Sequence, residues 1–397
     1  MPAFTYTPEN GSRAVNVNGT IHCVDMHTTG QPTRIVYSGF PDITGTLEEQ
    51  RSTARKHHDH IRRRLILEPR GHHDMYGAVL RSSTELVDRD EADMGILFLT
   101  NDGYSNMCGH ATIALGRFLV DTHDLEIFPK RKNLLVDGGG IHIRLHVPCG
   151  VVHVMVQTLE DGRSDPSKPV SFVSVPSFAS GIKIPIHIPH DRRWRVGKGI
   201  NKINVDFAYG GAFFCMVEAS GLYSDKDDAT LSGAKLQDLD EAAFTIIDLI
   251  NESLHLRKYV THPGTATTAE LGKIFALLMI YKGLGLSDSG SLGVDTGVCF
   301  FDNHQIDRSP TGSAVAARMA LAYTKGEVRR GEAWTYQSIL SNAYGGTGSF
   351  VGKVVDDTCN DSVRVALEGK AYYTGTHCFF VEPGDILGDD GFAMEAL

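Results

Sequence analysis

The sequence predicts an α/β fold made of two similar halves, and three observations carry that expectation. Strand-like runs with period-two alternation lie between helical stretches along all 397 residues. That length suits one large or two medium domains. The order of elements also recurs at one fixed offset. A shift of 203 residues takes Phe98 to Phe301 and Cys108 to Thr311, laying strand on strand, turn on turn and alanine-rich helix on helix.

Residues 1–18 read as a loose polar tail without a hydrophobic signal core. "TIHCVDMHTTGQPTRIVYSGF" then alternates like a strand pair around a turn at Gly30-Gln31-Pro32. A charged helix is predicted around 47–64, from "LEEQRSTARKHHDHIRRRL". "MGILFLTNDG" (94–103) gives a strand and turn, Cys108 opens the next helix, and "IHIRLHV" and "VVHVMVQTL" are strands between 141 and 159. The Pro-, Ser- and Arg-rich stretch 160–204 reads as a linker with an insertion. The second half repeats the plan: a strand in "INVDFAYGGAFFCMVEA", a helix in "LDEAAFTIIDLINESLHL", strands in "KIFALLMIY" and "GVCFF", and a helix starting near Thr311. The expected division is a first half over 19–195 and a second over 196–397, with the C-terminal strand free to return to the first half.

Composition narrows the function classes. Hydrophobic residues at 42% and charged residues at 22% are ordinary for a globular protein with a core. A formal charge of −10 argues against a nucleic-acid or anionic-membrane binder, which would show a basic face. No apolar run reaches membrane-spanning length. Seven scattered cysteines without a CxxC support neither a zinc ribbon nor a disulfide framework. Reduced thiols in a soluble cytoplasmic protein are expected.

The paired helix starts carry the chemistry. A helix N-terminus gathers unsatisfied N–H groups and partial positive charge, a natural seat for a carboxylate. A cysteine there has its thiolate stabilised, and such thiols fall well below the free value of about 8.5. Gly109 and Gly312 leave the backbone bare for close approach, while His110 and Ser313 add polar side chains. Two such ends would clamp a small zwitterion, with Cys108 supplying a base and Thr311 a hydroxyl. Each part also has a plain structural reading: an incidental thiol, a helix cap at Thr311-Gly312-Ser313, a turn at Asp307. Their matched placement favours a site.

These residues sit in motifs that resemble the proline racemase family: "DMHTTGQPTRIV" (25–36), "EPRGHHDMYGAVL" (68–80), "MCGHATIALGRF" (107–118), "VDFAYGGAFF" (205–214) and "DRSPTGSAVAARMA" (307–320). The resemblance implies a fold of the diaminopimelate epimerase type. Each half would be a mixed sheet wrapped about a central helix, with the active site between the halves. It implies no pyridoxal phosphate, metal or nucleotide cofactor, a small cyclic imino acid as substrate, and a homodimer. Cys108 matches the first catalytic cysteine of the family and Asp307 the aspartate that meets the substrate ammonium. Gly109, His110, Gly312 and Ser313 would hold the carboxylate and ring nitrogen.

Thr311 stands where racemases and epimerases carry their second cysteine. Racemisation needs an acid–base group on both faces of the alpha carbon, and a threonine hydroxyl is far too weak an acid for that exchange. Within the family, threonine here resembles the members that dehydrate trans-3-hydroxy-L-proline. They remove the alpha proton, release the C3 hydroxyl as water and let the enamine tautomerise to 1-pyrroline-2-carboxylate. Thr311 would then contact the leaving hydroxyl or shape the pocket. The family's "GTG" reads Gly312-Ser313-Ala314 here. Proline racemisation, hydroxyproline epimerisation and non-catalytic amino-acid binding are the competing readings. Cys108 speaks against the last, since binding alone needs no thiolate.

Other motifs carry less. "KHHDHIRRR" has the wrong spacing for HExxH, and His57 and His58 point to different helix faces. "GGTGSFVGKV" (345–354) misses the phosphate-loop pattern at Thr347 and Val354, and no GxGxxG opens a βαβ unit. "GYSNM" lacks the final glycine of a nucleophile elbow.

Overall fold

The computed structural model describes residues 19–225, 229–231, 236–263, 274–302, 304–358 and 361–394. The tail expected at 1–18 lies outside the described residues. Backbone contacts divide the chain into two units, Met1–Phe172 with Lys370–Leu397, and Val173–Gly369.

In the first unit, β1 (Ile21–Thr28) and β2 (Gln31–Ser38) form a hairpin. Its two-residue turn is Thr29-Gly30, with φ of 52° and 81°, the left-handed pair that matches the twist of flanking strands. Gln31 and Pro32, expected in the turn, already pair with Thr28 and His27. Helix α1 (Leu47–His57) starts on a capping box between Thr46 and Glu49. The single helix expected over 47–64 breaks at His58, where φ is −131°, and resumes as α2 (Asp59–Ile66). Then follow β3 (Gly77–Arg81), α3 (Glu85–Asp88), β4 (Met94–Leu99), β5 (Tyr104–Ser105) and α4 (Gly109–Asp121). β6 (Leu135–Asp137), β7 (Gly140–Val147) and β8 (Gly150–Gln157) extend the sheet.

The stretch expected as a linker instead contains β9 (Val170–Val173) and β10 (Phe178–His187). β10 pairs antiparallel with β11 (Lys202–Tyr209), so these residues are sheet. The division therefore falls between Phe172 and Val173, where the sequence placed it between 195 and 196. The strand expected over 203–219 is two, because Gly210-Gly211 turns β11 back into β12 (Phe213–Glu218). The second unit continues with α5 (Leu236–Glu252), α6 (Leu254–Arg257), β13 (Ile274–Lys282), β14 (Ser291–Phe301) and β15 (Gln305–Ile306). α7 (Gly312–Thr324), β16 (Ala333–Ser338), α8 (Ile339–Ala343), β17 (Phe350–Thr358) and β18 (Ser362–Gly369) complete it. The chain ends in the first unit with β19 (Ala371–Phe379), which pairs antiparallel with β1, and α9 (Ile386–Asp390).

The two sheets share one pairing plan. The first runs β19-β1-β2-β3-β4-β7-β8 and the second β10-β11-β12-β13-β14-β16-β17. In both, successive pairs are antiparallel, antiparallel, parallel, antiparallel, parallel, antiparallel. Helices α4 and α7 have 13 residues each and are related by the 203-residue offset at both ends. Within its own unit, α4 packs on β1, β2, β8 and β19, while α7 packs on β10, β11, β12, β17 and β18. Every residue of α4 except Arg117 and Asp121 is buried, as an all-round apolar helix requires. No helix among the described residues is long and apolar enough to cross a membrane.

On the face of β1–β2 turned away from α4, Arg34 is buried and spends its whole guanidinium. Nε and Nη2 donate to the two Asp25 oxygens (3.0 and 2.8 Å), and Nη1 to the carbonyls of Leu65 (2.6 Å) and Arg70 (2.8 Å). It therefore ties the hairpin to the end of α2. Arg34→Leu leaves the buried Asp25 carboxylate only its contact with His377 Nε2 (3.1 Å) and strands two carbonyls, and should cost about 3–5 kcal/mol of stability. Urea unfolding measures it; a loss under about 1 kcal/mol would mean that the pair behaves as a solvated surface bridge.

Candidate active site

In the first unit, Cys108 is the N-cap of α4, in extended conformation (φ −144°, ψ 112°). Its sulfur accepts from the Ala111 N–H (3.3 Å) and lies 3.2 Å from His110 Nδ1 and 3.4 Å from Nε2. The two imidazole N–H bonds diverge, so only one ring nitrogen at a time can align with the sulfur. Cys108 and His110 are both buried, and the imidazole and the Tyr76 ring meet at a steep angle with centroids 4.8 Å apart. The first intrahelical bond runs from Thr112 N–H to Cys108 O (3.0 Å), so the N–H groups of Gly109 and His110 precede it. The loop into the helix is held by Ser105 Oγ donating to Met107 O (3.0 Å) and by Arg51 Nη1 donating to Asn106 Oδ1 (2.7 Å).

In the second unit, Thr311 occupies the same N-cap position but caps nothing. Its φ of 61° is in the left-handed region, a strained choice for a β-branched residue that costs on the order of 1–3 kcal/mol. The "DRSPT" segment holds it there. Thr311 N–H donates to Ser309 Oγ (3.1 Å), and Thr311 Oγ1 donates to Asp307 Oδ2 (2.8 Å). The other Asp307 oxygen accepts from Ser309 N–H (2.7 Å). Asp307 thus makes the turn its position foretells and also accepts the hydrogen bond of the Thr311 hydroxyl. Asp307, Ser309, Thr311 and Ser313 are all buried. The first intrahelical bond runs from Val315 N–H to Thr311 O (2.9 Å), leaving Gly312 and Ser313 N–H before it.

Cys299 lies directly beneath this segment, its carbonyl accepting from Asp307 N–H (3.1 Å). Burial pushes its thiol far up and the negative Asp307 adds to that, while the hydrogen bond with Thr311 pulls the other way. It stays a thiol at neutral pH and does not replace the missing second base.

Two supporting contacts escaped the sequence reading. Thr28, the last residue of β1, donates from Oγ1 to the His110 carbonyl (3.0 Å). At the equivalent place in the second unit, a Cβ on Gly210 would stand 2.2 Å from the Ser313 carbonyl and 2.6 Å from Ala317 N. Each first hairpin therefore braces the opening turn of its central helix. Both residues lie in the quoted motifs, but nothing in their spacing reveals the contact. Gly210→Ala should cost about 1–3 kcal/mol, because the two nearest atoms in the way of the methyl group are backbone and cannot swing aside. A thermal melt unchanged from the parent would sink that account.

Among the described residues, no three His, Cys, Asp or Glu side chains are grouped so as to hold a metal ion. The chain matches the family model described as proline racemase over residues 23–393. The chain belongs to the proline racemase family. A trans-3-hydroxy-L-proline dehydratase from Homo sapiens is 40% identical over 377 residues, covering 94% of this chain and 94% of its own. A proline racemase from Acetoanaerobium sticklandii is 32% identical, over 92% of this chain and 96% of its own. In three dimensions, a probable proline racemase from Agrobacterium radiobacter K84 matches with a TM-score of 0.74 at 21% identity, covering 95% of this chain and 97% of its own. That likeness carries the fold: two α/β units of the proline racemase type, as the motifs led us to expect.

Proposed function

We propose that this protein is a cofactor-independent hydro-lyase that converts trans-3-hydroxy-L-proline to 1-pyrroline-2-carboxylate. The observation that carries the reading is the mismatched pair of helix starts, Cys108 on α4 and Thr311 on α7, at equivalent places in the two repeats. Cys108 is the base that removes the alpha proton. The amides of Gly109 and His110, with those of Gly312 and Ser313 and the Ser313 side chain, hold the carboxylate and ring nitrogen. Asp307 meets the substrate ammonium. Thr311, whose hydroxyl donates its hydrogen bond to Asp307, offers no acid to the second face of the alpha carbon. The carbanion is therefore not reprotonated with inversion; it expels the C3 hydroxyl, and the enamine tautomerises to the imine. The 40% identity to a dehydratase supports the same choice. A homodimer is part of the proposal on family grounds, and light scattering in solution tests it.

The experiment is incubation with trans-3-hydroxy-L-proline in heavy water, followed by mass spectrometry, beside trans-4-hydroxy-L-proline and L-proline. Loss of water from the 3-hydroxy compound alone is expected. Deuterium at the alpha carbon of an inverted proline or 4-hydroxyproline would make the protein an isomerase instead.

A further inference from the structure

The dehydratase reading leaves one proton unassigned, the one that must reach the departing hydroxyl. We propose that the His110 side chain delivers it, and that Cys108 then returns a proton to His110 to close the cycle. This inference rests on the dehydratase reading and specifies its leaving-group chemistry.

Stereochemistry supplies the first step. In trans-3-hydroxy-L-proline the hydroxyl is trans to the carboxylate and therefore cis to the alpha hydrogen. Cys108, the sole thiol base in the proposal, has to approach the face bearing that hydrogen. The leaving oxygen is on the adjacent carbon and the same face, so the group that protonates it belongs to the surroundings of the Cys108 sulfur. This is a syn elimination within one unit.

Those surroundings leave few donors. Thr112 Oγ1 donates to Cys108 O (2.7 Å), Thr28 Oγ1 to His110 O (3.0 Å) and Ser105 Oγ to Met107 O (3.0 Å). Each of these hydroxyl protons is held by a backbone carbonyl. The His110 imidazole instead lies against the sulfur, with Nδ1 at 3.2 Å and Nε2 at 3.4 Å. Its backbone is fixed by Thr28 and its ring by Tyr76, so it is oriented before substrate arrives.

The step balances without any outside reagent. Cys108 starts as thiolate and His110 as imidazolium. The C2–H bond breaks toward sulfur, its electron pair becomes the C2–C3 π bond, and the C3–O bond breaks with its pair on oxygen. The imidazolium proton goes to that oxygen, giving water and the enamine. Thiol and neutral imidazole remain, and transfer of the proton across their 3.2 Å contact restores the starting pair. On this account the side chain of His110 is a catalytic residue, while its main-chain N–H serves the carboxylate.

Leaving-group dependence tests it. His110→Gln and His110→Asn are assayed on trans-3-hydroxy-L-proline and on trans-3-fluoro-L-proline, which carries fluoride on the same face. Fluoride departs without a proton, whereas hydroxide needs one. The variants should lose about 10²–10⁴-fold in water elimination, the usual contribution of a general acid. Fluoride release loses only the imidazolium beside the Cys108 thiolate and no leaving-group proton, so it should fall by a clearly smaller factor than water elimination, while circular dichroism reports the intact fold. Equal losses on both substrates, or none on either, would overturn the role of His110. A wild-type enzyme that releases fluoride but never water would instead overturn the dehydratase reading.

Discussion

Cys108→Ser is expected to lose about 10⁴-fold in kcat, the upper end of a general-base contribution, with no loss of stability. The two halves of that expectation have separate causes. A serine hydroxyl is not ionised at neutral pH and is not made so by a helix terminus, so the alpha proton has no acceptor. The thiol also caps α4 by accepting from Ala111 N–H, and serine does this better than cysteine. The variant should therefore melt at the parent temperature or slightly above it. Four of the other thiols are held out of this role by burial. Burial pushes Cys149 up to about 12 and raises Cys23, Cys215 and Cys299 further, so all four stay protonated. Steady-state rates with a thermal melt decide the matter. More than a tenth of parental kcat at an unchanged melting temperature would remove Cys108 from the chemistry.

How much of this could be read before the structure follows from where each signal comes from. The starts of the central helices were legible to within a residue. Their opening residues stand alone against long apolar runs, and the offset from Cys108 to Thr311 holds across both full helices. β10 was not legible. It is an outer strand with little burial, and its register shifts between Ala179 and Ile184 erase the alternation that marks a strand. Read as sequence, its Gly181, Lys183 and Pro185 look like linker. The helix over 47–64 was legible as helix, but its break at His58 was not, since charged residues run through it.

At the site, residue types were legible and conformations were not. Cys108, His110, Asp307 and Thr311 stand out because few chemistries use that set. Ser309 was not singled out in the sequence, and its hydroxyl proved to hold the Thr311 amide. Thr28 and His110 are 82 residues apart, so only the folded sheet brings them together. The left-handed backbone of Thr311 runs against local preference, since a β-branched residue after Pro310 reads as extended. Two buried side chains, Asp307 and Ser309, outweigh that preference.

Thr311→Cys is expected to create an isomerase activity that the parent lacks. In the parent, the residue at this position shares its hydroxyl proton with Asp307 and offers the alpha carbon no acid. A cysteine keeps the backbone N–H that Ser309 anchors, so the substitution preserves the turn and changes the acid. Placed beside a buried carboxylate, the new thiol is held in its protonated form by like-charge repulsion. A protonated thiol is what the second face needs: Cys108 removes the alpha hydrogen, and the new thiol returns one from the opposite side. L-proline is the telling substrate, because it has no C3 leaving group and its carbanion can only be reprotonated. In heavy water the variant should yield D-proline labelled at the alpha carbon, at a rate at least about tenfold above the parent background. Exchange without inversion would place the new thiol out of reach of the alpha carbon. Efficient inversion by the parent itself would mean that a group other than residue 311 already serves the second face, and the dehydratase assignment would lose its physical basis.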